Sequence, residues 1–336
     1  MKANVREIPA NITNILETKV FSQRNAFKAK KIAWAIARTV FLLGFSFVIL
    51  YPVLNMISMA FKHRVDLYDN TVIWVPKHFT LENIRLASRM MYYPQALKNS
   101  MILALSVTII QSFSCLLIGY GFARFDFPFK KILFALVILT IMVPPQIIIS
   151  AIYLHFRFFD VFGIIKLITG KRGINLLDSF LPFVLLALTG QGIRNGLFIY
   201  IFRQFFRGMP RETEEAALVD GAGPFRTFYQ IMLPGARTAI VTVALFSFVW
   251  QWNDQLFSGL FLPNMKVLAL QLNSLNSIEA GVDLTGIGNF DLRNDPMHMA
   301  LIKTTGAFLV MLPPLVLYAF AQKLFVQSIE RAGIVG

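Results

Sequence analysis

Met209-Pro210-Arg211-Glu212-Thr213-Glu214-Glu215-Ala216-Ala217-Leu218-Val219-Asp220-Gly221-Ala222-Gly223-Pro224, running on through Phe225-Arg226-Thr227-Phe228-Tyr229-Gln230-Ile231-Met232-Leu233-Pro234, is the stretch around which this chain is organised. It is the longest segment with charge in every turn, and long apolar runs flank it on both sides. Residues 211 to 220 favour a short helix with acids in its opening turns, where the unsatisfied N–H groups of a helix start stabilise negative charge. Gly221 and Gly223 break that helix, and Pro224 suits the first position of another. Phe225, Phe228 and Ile231 recur at spacings of three, which predicts an apolar face tied back to the rest of the protein, with Pro234 ending the helix. The reading is a helix, a tight glycine turn and a second helix, a polar hairpin set between membrane spans and therefore a docking surface.

Composition accounts for the apolar flanks. Of 336 residues, 56% are hydrophobic, only 15% are charged and 33 are phenylalanine, with a mean hydropathy of +0.61. A soluble core would not leave so little charge, whereas spans of roughly 20 apolar residues fit this length several times over. An all-α integral membrane protein is predicted. The net charge of +14 is mostly topological: Lys and Arg lie between the apolar runs and not in a stripe with interleaved aromatics, so no nucleic-acid partner is expected. Cys115, the single cysteine, lies in an apolar run and leaves no disulfide framework. His63, His78, His155 and His298 are scattered, and no metal site is expected.

Residues 1–31 read as a basic tail, with Lys2, Arg6, Lys19, Arg24, Lys28, Lys30 and Lys31 against Glu7 and Glu17. The hydrophobic stretch that follows is too long for the core of a cleavable signal, so the tail is expected to be retained in the cytoplasm. A first span is predicted over 32–61, with a kink at Pro52, and an external segment over 62–96. The remaining core, 97–325, holds spans at about 99–122, 132–156, 179–205, 236–262 and 299–325 and the hairpin at 209–234. Residues 326–336 form a tail, so six spans put both termini in the cytoplasm of a multi-pass membrane protein. Of the 32 Lys and Arg, 18 fall on the predicted inside and 13 outside, with Arg194 in a span, a modest bias of the right sign.

Three features mark a solute path or its braces. Pro144-Pro145-Gln146 interrupts the third span at bilayer depth, either as a packed kink or as a path wall. Arg194, in a glycine-rich stretch of the fourth span, is costly there unless it faces protein, a cavity or headgroups. Trp250-Gln251-Trp252-Asn253-Asp254-Gln255 lies in the outer half of the fifth span, with Asp254 ~27 Å above its inner end at 1.5 Å per residue. Rings that stack on pyranose faces beside amide and acid groups that bind hydroxyls suit a sugar; an interfacial aromatic belt with a buried hydrogen-bond network is the plainer account. Gln146, Arg194, Trp252, Asn253 and Asp254 are the candidates. An ion-coupled secondary transporter, with Asp254 as its proton or sodium site, is the alternative, although no paired broken helices in inverted halves are detectable.

The hairpin resembles the EAA motif of bacterial ABC importer permeases: Glu-Ala-Ala, three residues, Gly, nine residues, Ile, one residue, Leu-Pro. Here these positions are Glu215, Ala216, Ala217, Gly221, Ile231, Leu233 and Pro234, with every spacing matched. Ser58-Met59-Ala60-Phe61-Lys62, Gly119-Tyr120-Gly121-Phe122-Ala123-Arg124-Phe125, Phe202-Arg203-Gln204-Phe205-Phe206, Trp252-Asn253-Asp254 and Gln322-Lys323-Leu324-Phe325-Val326 are similar to segments of the maltose-type, carbohydrate-uptake branch. The chain departs from that pattern in a longer basic N-terminus, extra residues around 164–175 and a longer final external loop.

The resemblance implies a type I ABC importer permease fold with six transmembrane helices and a cytoplasmic coupling helix. It implies a sugar or oligosaccharide as substrate, a second homologous permease subunit, two ATP-binding subunits and an external solute-binding protein as partners, and a bacterial inner or cytoplasmic membrane as location. Glu214, Glu215, Ala216, Ala217, Leu218, Asp220, Gly221, Ile231, Leu233 and Pro234 become the coupling residues, with Ala216, Ala217 and Gly221 small enough for close approach and Glu215 and Asp220 placed for bonds to basic groups. No GxxxxGK[ST] phosphate loop is found, so the chain is expected to be no enzyme and to carry no cofactor, with ATP and Mg bound by the ATPase subunits. Glu279, Asp283 and Asp291, in the acidic final loop, are the candidate contacts for the binding protein.

Overall fold

The computed structural model describes residues 10–161, 163–170, 172–275 and 295–333, without the side chains of 10–26, 29, 169 and 323–333. The chain divides into two compact units, Met1–Ser58 and Met59–Gly336. The described residues of the first lie in helix α1 (Ala10–Phe61), which continues through Pro52. From Lys30 onward α1 is long and apolar enough to cross a membrane, and Phe41, Leu43 and Val48 are exposed along it, as suits a surface that meets lipid or another apolar partner.

The regular elements among the described residues of the second unit are helices: α2 (Glu82–Met90), α3 (Tyr93–Arg124), α4 (Lys130–Met142), α5 (Pro145–Arg157), α6 (Ile164–Thr169), α7 (Leu181–Leu188), α8 (Asn195–Gly208), α9 (Glu212–Val219), α10 (Pro224–Thr227), α11 (Leu233–Gly235), α12 (Arg237–Trp252), α13 (Leu256–Phe261), α14 (Leu268–Ser274) and α15 (Pro296–Gly333). A 3₁₀ turn over Arg64–Leu67 precedes α2. Among the described residues no strand forms. Helix α3 is the central rod. It packs chiefly against α8 and α12, and at Gly119 it comes so close to α8 that an added Cβ would lie 2.6 Å from Phe202 Cβ. Cys115, Leu116, Tyr120, Phe198, Phe202, Phe206, Met232 and Val243 fill the core at this end.

Three helices, Lys30–Phe61, Tyr93–Arg124 and Pro296–Gln322, are each long and apolar enough to span a bilayer, and two bent pairs raise the number to five if each counts as one span. The third predicted span is one of those pairs. Pro144 and Pro145 supply no N–H, Pro144 is extended, and α4 and α5 diverge by 102°. The fourth, expected to be continuous over 179–205, is instead α7 and α8. Between them Gly190 (φ +72°) and Arg194 (φ +60°) leave the right-handed region. The backbone opened there is re-bonded by α3: Gln111 Nε2 donates to Ile193 O at 2.7 Å and Ser114 Oγ to Ala187 O at 2.6 Å, as backbone polar groups shut away from water require.

Helix α15 solves the same problem differently. Pro313 and Pro314 lie within it and cannot donate to the carbonyls four residues earlier, Leu309 O and Val310 O. Those two carbonyls accept from other helices: Tyr93 Oη donates to Leu309 O at 3.0 Å and Trp252 Nε1 to Val310 O at 3.1 Å. At its start, Asp295 accepts from His298 N at 3.0 Å, from Arg64 Nε at 3.1 Å and from Tyr68 Oη at 2.8 Å.

Candidate functional site

The hairpin is built as its residues dictate. Helix α9 carries Glu212, Glu214 and Glu215 in its first turn. It ends with Gly221 at φ +83°, where Ala222 N donates to Ala217 O at 3.0 Å and Gly221 N to Leu218 O at 3.1 Å, the paired bonds of a Schellman close. An added Cβ at Gly221 would meet no atom within 4 Å, so glycine is needed there for its backbone and not for space. Pro224 opens α10, and one π turn over Phe228–Met232 leads into α11.

Two expectations change. Phe225 does not tie the hairpin down: it is 82% exposed. Phe228 and Met232 do so, Phe228 against Tyr120 at 4.8 Å between ring centres and Met232 in the core; Ile231 is half-buried. Pro234 does not end the helix, which reaches Gly235, because the π turn just before it already departs from the regular hydrogen-bond ladder.

The predicted coupling residues divide into two faces. Glu215, Ala216, Leu218, Asp220, Gly221 and Pro234 are exposed, with Val219 (87%) and Phe225 beside them, whereas Leu233 is half-buried and Ala217, at 6%, faces inward. Glu214 also turns inward. Its Oε1 accepts from Tyr120 Oη at 2.8 Å and its Oε2 lies 3.0 Å from Arg124 Nε. Arg124 Nη2 in turn donates to Met209 O, where the chain leaves α8, at 2.9 Å. A cleft of about 250 Å³ lies beside this group, lined by residues including Arg124, Arg211, Glu215 and Leu218. Tyr120 and Arg124 are partners that reading the hairpin alone misses; the available signal is a basic residue closing an apolar span a few residues after a tyrosine.

The path candidates are not gathered into one site. Gln146 is exposed at the start of α5. Arg194 is exposed and sits 5.4 Å from the ring centre of Trp250, which itself stacks on Phe198 and Phe246. Asn253 is exposed and donates to Val249 O at 2.8 Å. Trp252 points the other way, 3% exposed, onto α15. Asp254 caps α13, accepting from Phe257 N at 3.2 Å, Ser258 N at 2.7 Å and Ser258 Oγ at 2.9 Å. A buried polar chain that the sequence reading did not single out joins three helices: Gln111 of α3 bonds Asn195 of α8 and accepts from Ser247 Oγ of α12 at 2.5 Å. Glu279, Asp283 and Asp291 lie outside the described residues.

Comparison with known proteins bears on most of the chain. A probable ABC transporter permease of Pyrococcus horikoshii is 29% identical over 256 residues, 75% of this chain and 80% of that protein. The arabinooligosaccharides transport system permease AraQ of Bacillus subtilis is 26% identical over 311 residues, 90% and 96% of the two chains. The sn-glycerol-3-phosphate transport system permease UgpE of Escherichia coli is 25% identical over 299 residues, 87% and 94%. The crystal structure of a bacterial ABC transporter involved in import of the acidic polysaccharide alginate contains a chain with the same fold, at a TM-score of 0.65, 17% identity and coverage of 87% and 96%. Residues 115–331, more than half of the chain and including the whole hairpin, match the family of binding-protein-dependent transport system inner membrane components. With its apolar helices and its hairpin set among them, the chain belongs to that family, the membrane-embedded permeases of ABC importers.

Proposed function

We propose that this chain is the membrane-spanning subunit of an ATP-driven importer of a sugar or oligosaccharide, and that the hairpin at 209–234 couples ATPase movement to alternating access. The observation that carries the reading is the two-faced hairpin. Glu215, Ala216, Leu218, Val219 and Phe225 are exposed on it, while Tyr120, Phe228 and Met232 anchor its other side in the core. An exposed apolar patch flanked by acids on a rigidly anchored short helix suits a protein partner with basic groups around an apolar cleft.

In this arrangement the bilayer is crossed six times, by α1, α3, α4 with α5, α7 with α8, α12 with α13, and α15, and both termini face the cytoplasm. The complete importer contains a second homologous permease, two ATP-binding subunits that bind ATP and Mg, and an external solute-binding protein contacted through Glu279, Asp283 and Asp291. Relatives named for arabinooligosaccharides and for sn-glycerol-3-phosphate support a polyhydroxylated solute. Gln146, Arg194 and Asn253 line the path, and Trp252 and Asp254 brace it. Asp254, committed to three hydrogen bonds at the start of α13, is poorly suited to act as an ion site.

The test is coexpression with a cognate ATPase followed by reconstitution with the partner permease and binding protein. Co-elution and sugar uptake that stops when the ATPase is inactivated are expected. Uptake that survives ATPase inactivation and collapses with the ion gradient overturns the reading.

A further inference from the structure

We infer that the Glu214 carboxylate, gripped by Tyr120 and Arg124, is the joint through which movement of the hairpin reaches the central helix α3; the inference rests on the coupling role proposed above. Glu214 and Glu215 are adjacent, and successive helix positions point about 100° apart. Glu215 is exposed, whereas the side chains of Glu214 and Arg124 are only 16% and 6% exposed. An ion pair shielded in this way is screened far less than a pair in water, and the Tyr120 hydroxyl adds a directional bond by donating to the same carboxylate. It is also shared: the same guanidinium holds Met209 O at the end of α8, so one residue fixes α9 to two membrane helices at once. Tyr120 is itself wedged, with its ring centre 5.1 Å from Phe206 and 4.8 Å from Phe228, and it cannot yield without disturbing that packing.

What lies beyond the joint gives it consequence. Helix α3 runs 32 residues without a break, about 48 Å at 1.5 Å per residue. Its far end is fastened as firmly as the near one. Asn99 Nδ2 donates to Lys266 O at 2.8 Å, and Ser100 Oγ accepts from Leu268 N at 2.8 Å. At mid-height Gln111 bonds α8 and α12. A pull on Glu214 is therefore delivered to both faces of the membrane unit by one rigid rod. Glu212 and Glu215, in the same turn of α9, have no ion pair among the described residues, so this connection is specific to position 214.

The experiment uses the assembled complex in proteoliposomes and reads two quantities: ATPase retained on purification, and solute transported per ATP hydrolysed. Glu214→Ala and Arg124→Ala are expected to retain the ATPase while the transport ratio falls by about tenfold or more, as suits the loss of a shielded charged bond. Glu214→Gln and Tyr120→Phe, which keep shape and part of the bonding, should fall less. The exchanged pair Glu214→Arg with Arg124→Glu should recover part of the ratio lost in either single change. A normal ratio in Glu214→Ala, or parallel loss of ATPase and transport in all four single variants, overturns the inference. If the unmodified complex retains no ATPase, the coupling proposal itself has failed, which is a distinguishable result.

Discussion

Gly221 offers the sharpest test of how the hairpin works. Its φ of +83° closes α9, and an added Cβ would meet no atom of this chain within 4 Å. Substitution therefore costs backbone strain and nothing from internal packing. For an L residue in the left-handed region that cost is about 1–2 kcal/mol. Asn tolerates the region better than Ala, and a β-branched residue tolerates it least. If docking requires this turn and the free Gly221→Ala hairpin relaxes out of it, docking must restore the strained turn, a loss of about 5- to 30-fold in ATPase binding. The assay is titration of purified ATPase subunit against the permease in nanodiscs. The expected order of affinity is Gly, then Asn, then Ala, then Val. An order set by side-chain volume, with Asn weaker than Ala, would show that the partner surface fills the space over Gly221 and that conformation is secondary. Full affinity in Gly221→Ala would refute the requirement for the turn altogether.

Two further outcomes follow from bonds in the bundle and the loops. Trp252→Phe should cost about 1–3 kcal/mol in thermal unfolding, since Val310 O loses its donor; the same change in a Pro314→Ala background should cost far less, because residue 314 then supplies the missing N–H, and equal losses in the two backgrounds would disprove the account. Asp66 is buried, which raises its pKa, but bonds from His78 Nδ1 at 2.7 Å and His78 N at 2.9 Å prevail and hold it below the usual range. A carboxylate whose folded pKa is depressed stabilises the fold above its unfolded value near ~3.9 and loses that contribution as pH falls through the folded value. Asp66→Asn should therefore flatten the acid side of the stability profile, and proteolysis kinetics that depend on pH identically in the two proteins would refute this.

The elements easiest to read from sequence were those specified by local chemistry. Gly221 and Pro224 punctuate the hairpin where the backbone requires them, and the Pro144-Pro145 pair divides the third span. What escaped was bonding between distant parts of the chain. Nothing in residues 296–333 shows that Pro313 and Pro314 leave α15 unbroken, because the donors that rescue their carbonyls, Tyr93 and Trp252, come from other helices. The fourth span read as continuous because its apolar composition outweighed its glycines, and the compensation again came from elsewhere, through Gln111 and Ser114. Spacing failed at Phe225 for a geometric reason: α10 is four residues long and passes into a wider π turn, so a repeat of three does not keep Phe225, Phe228 and Ile231 on one face.

The pair Glu214 and Glu215 shows where motif reading stops and geometry begins. As letters in a run of acids they are equivalent, and both enter a list of coupling residues. In the fold they face different partners: Glu214 is neutralised inside by Arg124, and Glu215 remains exposed to whatever docks. A charge lost at 215 removes attraction to a partner and should fade in importance as salt screens it. A charge lost at 214 leaves Arg124 shielded without its counter-ion, a penalty that salt screens much less. The salt dependence of the two defects should therefore separate docking from transmission even where both abolish uptake.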